Sequence, residues 1–129
     1  MGGSNAQIIR KAYDDFATGD VPAVFAVLDA RMIWHVPGHS PLSGTYTGHE
    51  QIGGFFARTM ELSAGTFRIE VHQVLADDDL VVVLVTVSAR RNGASASFPE
   101  VHVWRMRNGK VIEFREFQGD EQREDQFWS

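Results

Sequence analysis

Near the start of the chain, Ile8, Ile9, Ala12, Tyr13, Phe16 and Ala17 recur at helical spacing, with Ser4 or Asn5 before them as a cap and Gly19 after the last turn. This predicts an amphipathic helix. Asp20 caps a shorter second helix, which tolerates Pro22 in its first turn and buries Val24, Phe25, Val27 and Leu28. The two are expected to form a hairpin. "RMIWHV" reads as a short strand stopped by Pro37-Gly38, and "PGHSPLSGTYTG" as a loop or irregular edge. After Gly48-His49-Glu50 a third helix keeps Ile52, Phe55, Phe56, Thr59, Met60 and Leu62 on roughly one face.

From Thr66 to Gln118 the pattern becomes strand-like. "TFRIEVHQVLA", "SFPEVHVWRM" and "KVIEFREF" alternate, whereas "LVVVLVTVSAR" is almost continuously apolar. Turns fall at Asp77-Asp78-Asp79, Asn92-Gly93 and Asn108-Gly109. Helices followed by an antiparallel meander give an α+β fold, with a twisted sheet leaving a concavity under the helices. The Leu80–Val87 strand is expected at the centre, one face against the helices and the other against a second subunit. The tail "GDEQREDQFWS" reads as solvated up to Phe127 and Trp128, which dock back onto the body; the other reading makes Asp120 a lid or pocket acid.

The hairpin at Asn108-Gly109 decides whether polar residues converge. A two-residue type I′ turn pairs Arg107 with Lys110 and His102 with Arg115, which sends Glu116 to the opposite side. A three-residue loop with a G1 bulge pairs Met106 with Lys110, Glu100 with Glu116 and His102 with Phe114. Sequence chemistry permits both. Burial favours the second, which gathers Glu100, His102, Trp104, Met106, Ile112, Phe114, Glu116 and Gln118 on one face, apolar at one end and polar at the other. Val101, Val103, Arg105, Glu113, Arg115 and Phe117 then share the other face.

With 129 residues, 43% of them hydrophobic, the chain suits one domain over residues 1–129. Seventeen acidic residues against 12 Lys and Arg, with no basic block, argue against nucleic acid and for a small-molecule partner. The absence of cysteine rules out disulfides and thiolate chemistry. No apolar run is long enough to span a bilayer and the N-terminus lacks a signal-peptide pattern, so no membrane association and a cytoplasmic location are expected. "MGGS" is given no weight. Phosphate-binding loops and a serine elbow are missing, and His39, His49 and His72 share no ligand spacing, so neither a cofactor nor a metal is expected.

The segments "ATGD", "WHVPGHSPLSGTYTGHEQIGGFF" and "VHVWRMRNGKVIEFREF", with "DEQREDQFW" behind them, resemble the SnoaL-like polyketide cyclases. These belong to the nuclear-transport-factor-two-like superfamily, which includes ketosteroid isomerases and limonene epoxide hydrolases. The resemblance covers nearly the whole chain. It implies a cone-shaped, strongly curved mixed or antiparallel sheet wrapped around three N-terminal helices, a cystatin-like α+β barrel, and a homodimer through the sheet. It puts His35 at the general-base position of ketosteroid isomerases and His102 near their second oxyanion acid, roles described for that system. It puts Glu116 at the catalytic aspartate of the cyclases, with Glu100 and His102 as the upstream pair. The oxyanion tyrosine of the isomerases matches Ala12; Tyr13, one residue off, is expected to point elsewhere.

His35, His102 and Glu116 are therefore the candidate catalytic groups, and Trp34, Phe56, Glu100, Trp104 and Phe114 the candidate ligand-binding ones. His102 with its carboxyls has the content of an acid/base cluster. The structural alternatives are a half-buried His35 bonding the Pro37-Gly38 backbone and a cross-strand ion network around His102. Trp34 and His35 alternate, so only one readily faces a pocket. The expected activity is cofactor-independent cyclisation or isomerisation of a hydrophobic carbonyl compound. The alternatives are a non-catalytic ligand-binding or assembly module, or an epoxide hydrolase using Glu100 and Glu116.

Overall fold

A computed structural model describes residues 4–129; Met1, Gly2 and Gly3, most of the "MGGS" segment, lie outside the described residues. Ser4 is the cap of helix α1 (Asn5–Ala17), in a capping box: its hydroxyl accepts from Gln7 N while the Gln7 side chain accepts from Ser4 N. Asp20 caps α2 (Val21–Ala26), as the sequence predicts. Leu28, expected in that helix, instead opens strand β1 (Leu28–Val36). The segment read as a loop or irregular edge contains the edge strand β2 (Gly44–Thr47), which leads into α3 (Gly48–Leu62).

Four longer strands follow: β3 (Arg68–Asp77), β4 (Leu80–Arg91), β5 (Ala94–Arg107) and β6 (Lys110–Gln118). All six form one curved, unclosed sheet in the order β2-β1-β6-β5-β4-β3, antiparallel except where β1 runs beside β6. This is the expected α+β class, with the sheet mixed. The continuously apolar strand is not central: β4 lies next to the edge strand. Its inward residues Val81, Val83, Val85, Val87 and Ala89 are buried, while Leu80, Val82, Leu84 and Thr86 keep partial exposure.

The tail is not a solvated extension. It forms α4 (Glu121–Trp128), capped by Asp120, whose carboxylate accepts from Arg123 N at 3.1 Å. Trp128 docks as its aromatic spacing predicts, and the buried Glu124 lies one turn before it. Two contacts hold the helix. The Arg91 guanidinium donates to the carbonyls of Leu62, Phe127 and Ser129, joining the ends of α3 and α4. On the other side His39 N donates to Asp125 Oδ1 at 2.9 Å. Gly38 permits that approach: its φ is +94°, and a Cβ there would collide with the Asp125 carboxylate.

The β5–β6 hairpin combines features of both predicted arrangements. The turn has two residues, with Asn108 (φ 50°) and Gly109 (φ 75°) left-handed and Arg107 paired with Lys110. Three positions into β6, Ile112 is an extra residue: Met106 pairs with Val111 but Arg105 with Glu113. The bulge reverses the parity set by the turn. His102 therefore faces Glu116 directly and Glu100 faces Gln118, correcting the predicted pairing of Glu100 with Glu116. Both candidate residues nonetheless share the inner face. Val111, not Ile112, takes the buried place beside Met106.

Candidate functional site

Period-two alternation along β5 sends Glu100, His102, Trp104 and Met106 inward, and all four are buried. Phe114 and Glu116 join them from β6, and Trp34, paired with Phe114, from β1. Phe55, Phe56 and Thr59 come down from α3. Together they line an aromatic hollow with about 60 Å³ of free room, whose wall is almost entirely apolar. Trp34 and Phe114 stack with ring centres 3.8 Å apart, forming its floor. Every candidate ligand-binding residue, Trp34, Phe56, Glu100, Trp104 and Phe114, lines this hollow, as do His102 and Glu116.

His35 does not. Trp34 takes the inward position, so His35 sits on the outer face, where its Nε2 lies 3.0 Å from Glu113 Oε2 and Thr45 is within 3.4 Å of its Nδ1. Strand alternation is the physical reason, and the expectation that His35 enters the pocket is corrected. His39, His49 and His72 are likewise scattered, bonded to Asp125, the Leu28 carbonyl and Thr86 respectively.

Tyr13, expected to point elsewhere, is in the site. Its hydroxyl accepts from Trp104 Nε1 at 3.0 Å and lies 2.6 Å from His102 Nδ1. His102 Nε2 in turn lies 2.9 Å from Glu100 Oε1. The direction of the chain follows from donor counting. Since the tyrosine proton has His102 Nδ1 as its acceptor, that nitrogen carries no hydrogen, and in the neutral ring Nε2–H donates to Glu100. Gln118 Nε2 donates to Glu116 Oε2 at 2.7 Å.

A third carboxyl completes the cluster. Glu124 arrives from α4 only 2% exposed, and Glu100 is within side-chain hydrogen-bonding reach of both Glu116 and Glu124. Burial governs the protonation of every member. It drives His102 down to about 4, against a smaller upward pull from the Glu116 carboxylate. It raises Glu100 well above the usual carboxyl range, with the nearby Glu116 charge adding to it. Glu116 is raised by burial too, partly offset by His102, Gln118 and Glu100. Glu124 is pushed up to about 11 by burial, then by its bond to Glu100 and the neighbouring carboxylates. Burial also holds the Tyr13 proton in place. At neutral pH the imidazole is uncharged and Glu124 keeps its proton.

Glu100, His102 and Glu116 each offer a donor atom, all within 4.8 Å of one another, and are the set that could hold a divalent ion. A ligand His needs a free lone pair, whereas the Tyr13 bond leaves the proton on Nε2, the nitrogen nearest Glu100. The hydrogen-bonded arrangement is thus one of shared protons.

Tyr13 and Glu124 were the two members that sequence reading missed. Tyr13 had a signal: it lies on the same helical stripe as Ile9 and Ala12, the buried face of α1. Glu124 had only its spacing of four from Trp128 inside an otherwise polar segment.

The SnoaL-like domain family matches residues 9–114, most of the chain. The protein belongs to this family. Solved structures agree with the assignment. Bal32a, from a soil-derived mobile gene cassette, is 32% identical with a TM-score of 0.93, covering 97% of this chain and 96% of its own. An NTF2-like protein of unknown function from Burkholderia pseudomallei is 29% identical with a TM-score of 0.89, over 98% of this chain and 99% of its own. TerC, co-crystallised with polyporic acid, is 25% identical with a TM-score of 0.85, over 97% and 98% of the two chains. The SnoaL-like and NTF2-like likeness supports a small-molecule-binding or isomerase-type protein.

Proposed function

We propose that this SnoaL-like protein binds an apolar carbonyl compound in the aromatic hollow and moves protons on it without a cofactor, as a cyclase or isomerase does. The observation that supports this is the place of Glu116, a carboxyl with a raised proton affinity set in the wall of an apolar cavity. Its carboxylate takes the proton α to the carbonyl. As that C–H bond breaks, its electron pair moves to the carbonyl oxygen, which needs a donor. Trp34 Nε1–H, buried in the hollow wall with no hydrogen-bond partner among the described residues, supplies one. Where the compound carries a β,γ double bond the enolate is conjugated. Glu116 then returns the proton to the γ-carbon as the electron pair on oxygen re-forms the C=O bond and the double bond moves to the α,β position, completing an isomerisation with no net change in atoms. The Tyr13–His102–Glu100 chain fixes the neighbouring carboxyl, and the aromatic walls exclude water. The co-crystallisation of TerC with polyporic acid lends support from a related chain.

A second reading is a binding module without chemistry. It is favoured by His102, which is only 4% exposed and already bonded on both nitrogens. One experiment separates the two. The chain is incubated with 4-phenylbutan-2-one in D₂O and loss of the α-protons is followed by NMR. Proton transfer predicts exchange well above background that disappears in Glu116→Gln; saturable binding without exchange leaves the binding module.

The outer face of the sheet is proposed as a homodimer surface, since Phe117 and Leu75 remain 50% and 49% exposed there. No helix among the described residues is long and apolar enough to cross a membrane, and a cytoplasmic location is part of the proposal.

A further inference from the structure

Behind the aromatic hollow lies a second, smaller cavity with about 30 Å³ of free room, bordered by α4 and the loop that carries Ser40 and Leu42. The two spaces share Phe55, Thr59, Phe67, Glu100 and Glu116, so the carboxyl pair forms the partition between them. The second space differs in character. Glu100, Glu116, Gln118 and Glu124 all face it, and none of its lining residues is Lys, Arg or His.

Its acceptors are incompletely used. Glu124 Oε2 and Gln118 Oε1 are both buried with no hydrogen-bond partner among the described residues. A buried acceptor without a donor is destabilising, and here two of them border one cavity. Both are oxygens, and three donors that border the cavity are already engaged: Thr59 Oγ1 with the Phe55 carbonyl, Ser40 Oγ with Ser43 Oγ, and Gln118 Nε2 with Glu116 Oε2. The walls beside them are aromatic, with Phe55, Phe67 and Trp128 presenting π surface suited to a cation.

We propose that this second cavity is a subsite for the protonated amine of a ligand whose apolar body occupies the aromatic hollow. The inference rests on the hollow being a ligand site, as argued above, and adds the chemical class at its far end. An ammonium group carries three N–H donors and no acceptor. It supplies the Glu124 and Gln118 oxygens and leaves a third donor for the Glu100–Glu116 partition. Its charge favours the ionised form of carboxyls whose proton affinity burial has raised, in a cavity that no Lys, Arg or His lines. A hydroxyl offers a single donor and no charge; a carboxylate offers no donor and adds negative charge. With the carbonyl end beside Trp34, the ligand reads as acceptor in front and donor behind.

The test uses three molecules that differ only at one end: 3-phenylpropylamine, 3-phenylpropan-1-ol and 3-phenylpropanoate. Each is titrated into the full chain at pH 7.5 by calorimetry. The amine is expected to bind about tenfold more tightly than the alcohol, and the carboxylate more weakly than both. Glu124→Gln is expected to weaken the amine about tenfold and the alcohol less than about threefold. Gln118→Leu, at a less buried position, provides the same contrast if Glu124→Gln does not fold. Equal or tighter binding of the alcohol overturns the subsite while keeping the hollow. An amine preference that survives both substitutions places the amine elsewhere and also overturns it. If none of the three binds, the hollow itself is no ligand site and both readings fall.

Discussion

Tyr13 Oη lies 2.6 Å from His102 Nδ1, so the first helix and the fifth strand are joined by a buried hydrogen bond across 89 residues of sequence. The same hydroxyl also accepts from Trp104. One atom thereby serves two partners and sets the tautomer of the imidazole.

Replacing Tyr13 with Phe leaves both Trp104 Nε1 and His102 Nδ1 without a partner at almost unchanged volume. Two unsatisfied buried groups cost about 2–5 kcal/mol together, measured as a drop in the urea midpoint. The NMR signature of His102 changes as well, because Nδ1 no longer accepts. A loss under about 0.5 kcal/mol would show that the hydroxyl is not the link.

The dependence of stability on pH follows from opposed shifts. His102 has a folded pKa of about 4, below the unfolded 6.5, so the unfolded chain binds the extra proton first and stability falls as pH drops from about 6.5 towards 4. Glu124 is raised from 4.5 to about 11, so the contribution of its bound proton is full below pH 4.5 and is lost as pH rises towards 11. Glu100 and Glu116 shift in the same direction as Glu124. Between 4.5 and 6.5 the two effects oppose each other; above 6.5 the carboxyls act alone. Urea unfolding at pH 7 and pH 9 should show a loss of roughly 1–3 kcal/mol at the higher pH, and Glu124→Gln should flatten it. A stability that rises between those two values contradicts the buried protonated cluster.

The bulge at Ile112 sets which residues face inward. Ile112→Ala keeps the backbone count and removes only a half-buried side chain, at a cost of about 1–2 kcal/mol. Inserting one alanine between Ile112 and Glu113 instead shifts the pairing by one residue and turns Glu116 outward. Its cost should exceed about 4 kcal/mol, with proton exchange on 4-phenylbutan-2-one abolished in whatever remains folded. An insertion as mild as the alanine substitution would mean that the strand tolerates either register.

Phe117→Asp places a charge on the outer face, where Phe117 pairs with Val101. If two copies meet there, sedimentation should shift from dimer to monomer with the helical signal unchanged. A wild-type chain that sediments as a monomer at micromolar concentration removes the proposed interface.

Long periodic segments made most of this fold legible. The α1 stripe, the Asp20 cap and the alternation of β5 each depend on local chemistry that the structure retains. The hairpin shows where that stops. Asn108-Gly109 marked the place of the turn and permitted two lengths, of which burial favoured the longer and the structure has the shorter; the bulge at Ile112 leaves no mark in composition, because an extra Ile between Val111 and Glu113 looks like one more strand residue. His35 was misplaced because period-two alternation cannot say which of two adjacent residues takes the inside; packing of Trp34 on Phe114 decided it. α4 was missed because its one buried carboxyl is stabilised by distant partners, Glu100 above all, that only the folded chain brings near.

The hollow draws Tyr13 from α1, and the cavity behind it draws Glu124 from α4. A compound lodged across both would tether opposite ends of the polypeptide, so occupancy and global unfolding are thermodynamically linked: saturation at a hundred times Kd adds about 2.7 kcal/mol. Melting shifts across a compound library therefore offer a route to the natural ligand that does not depend on an activity assay.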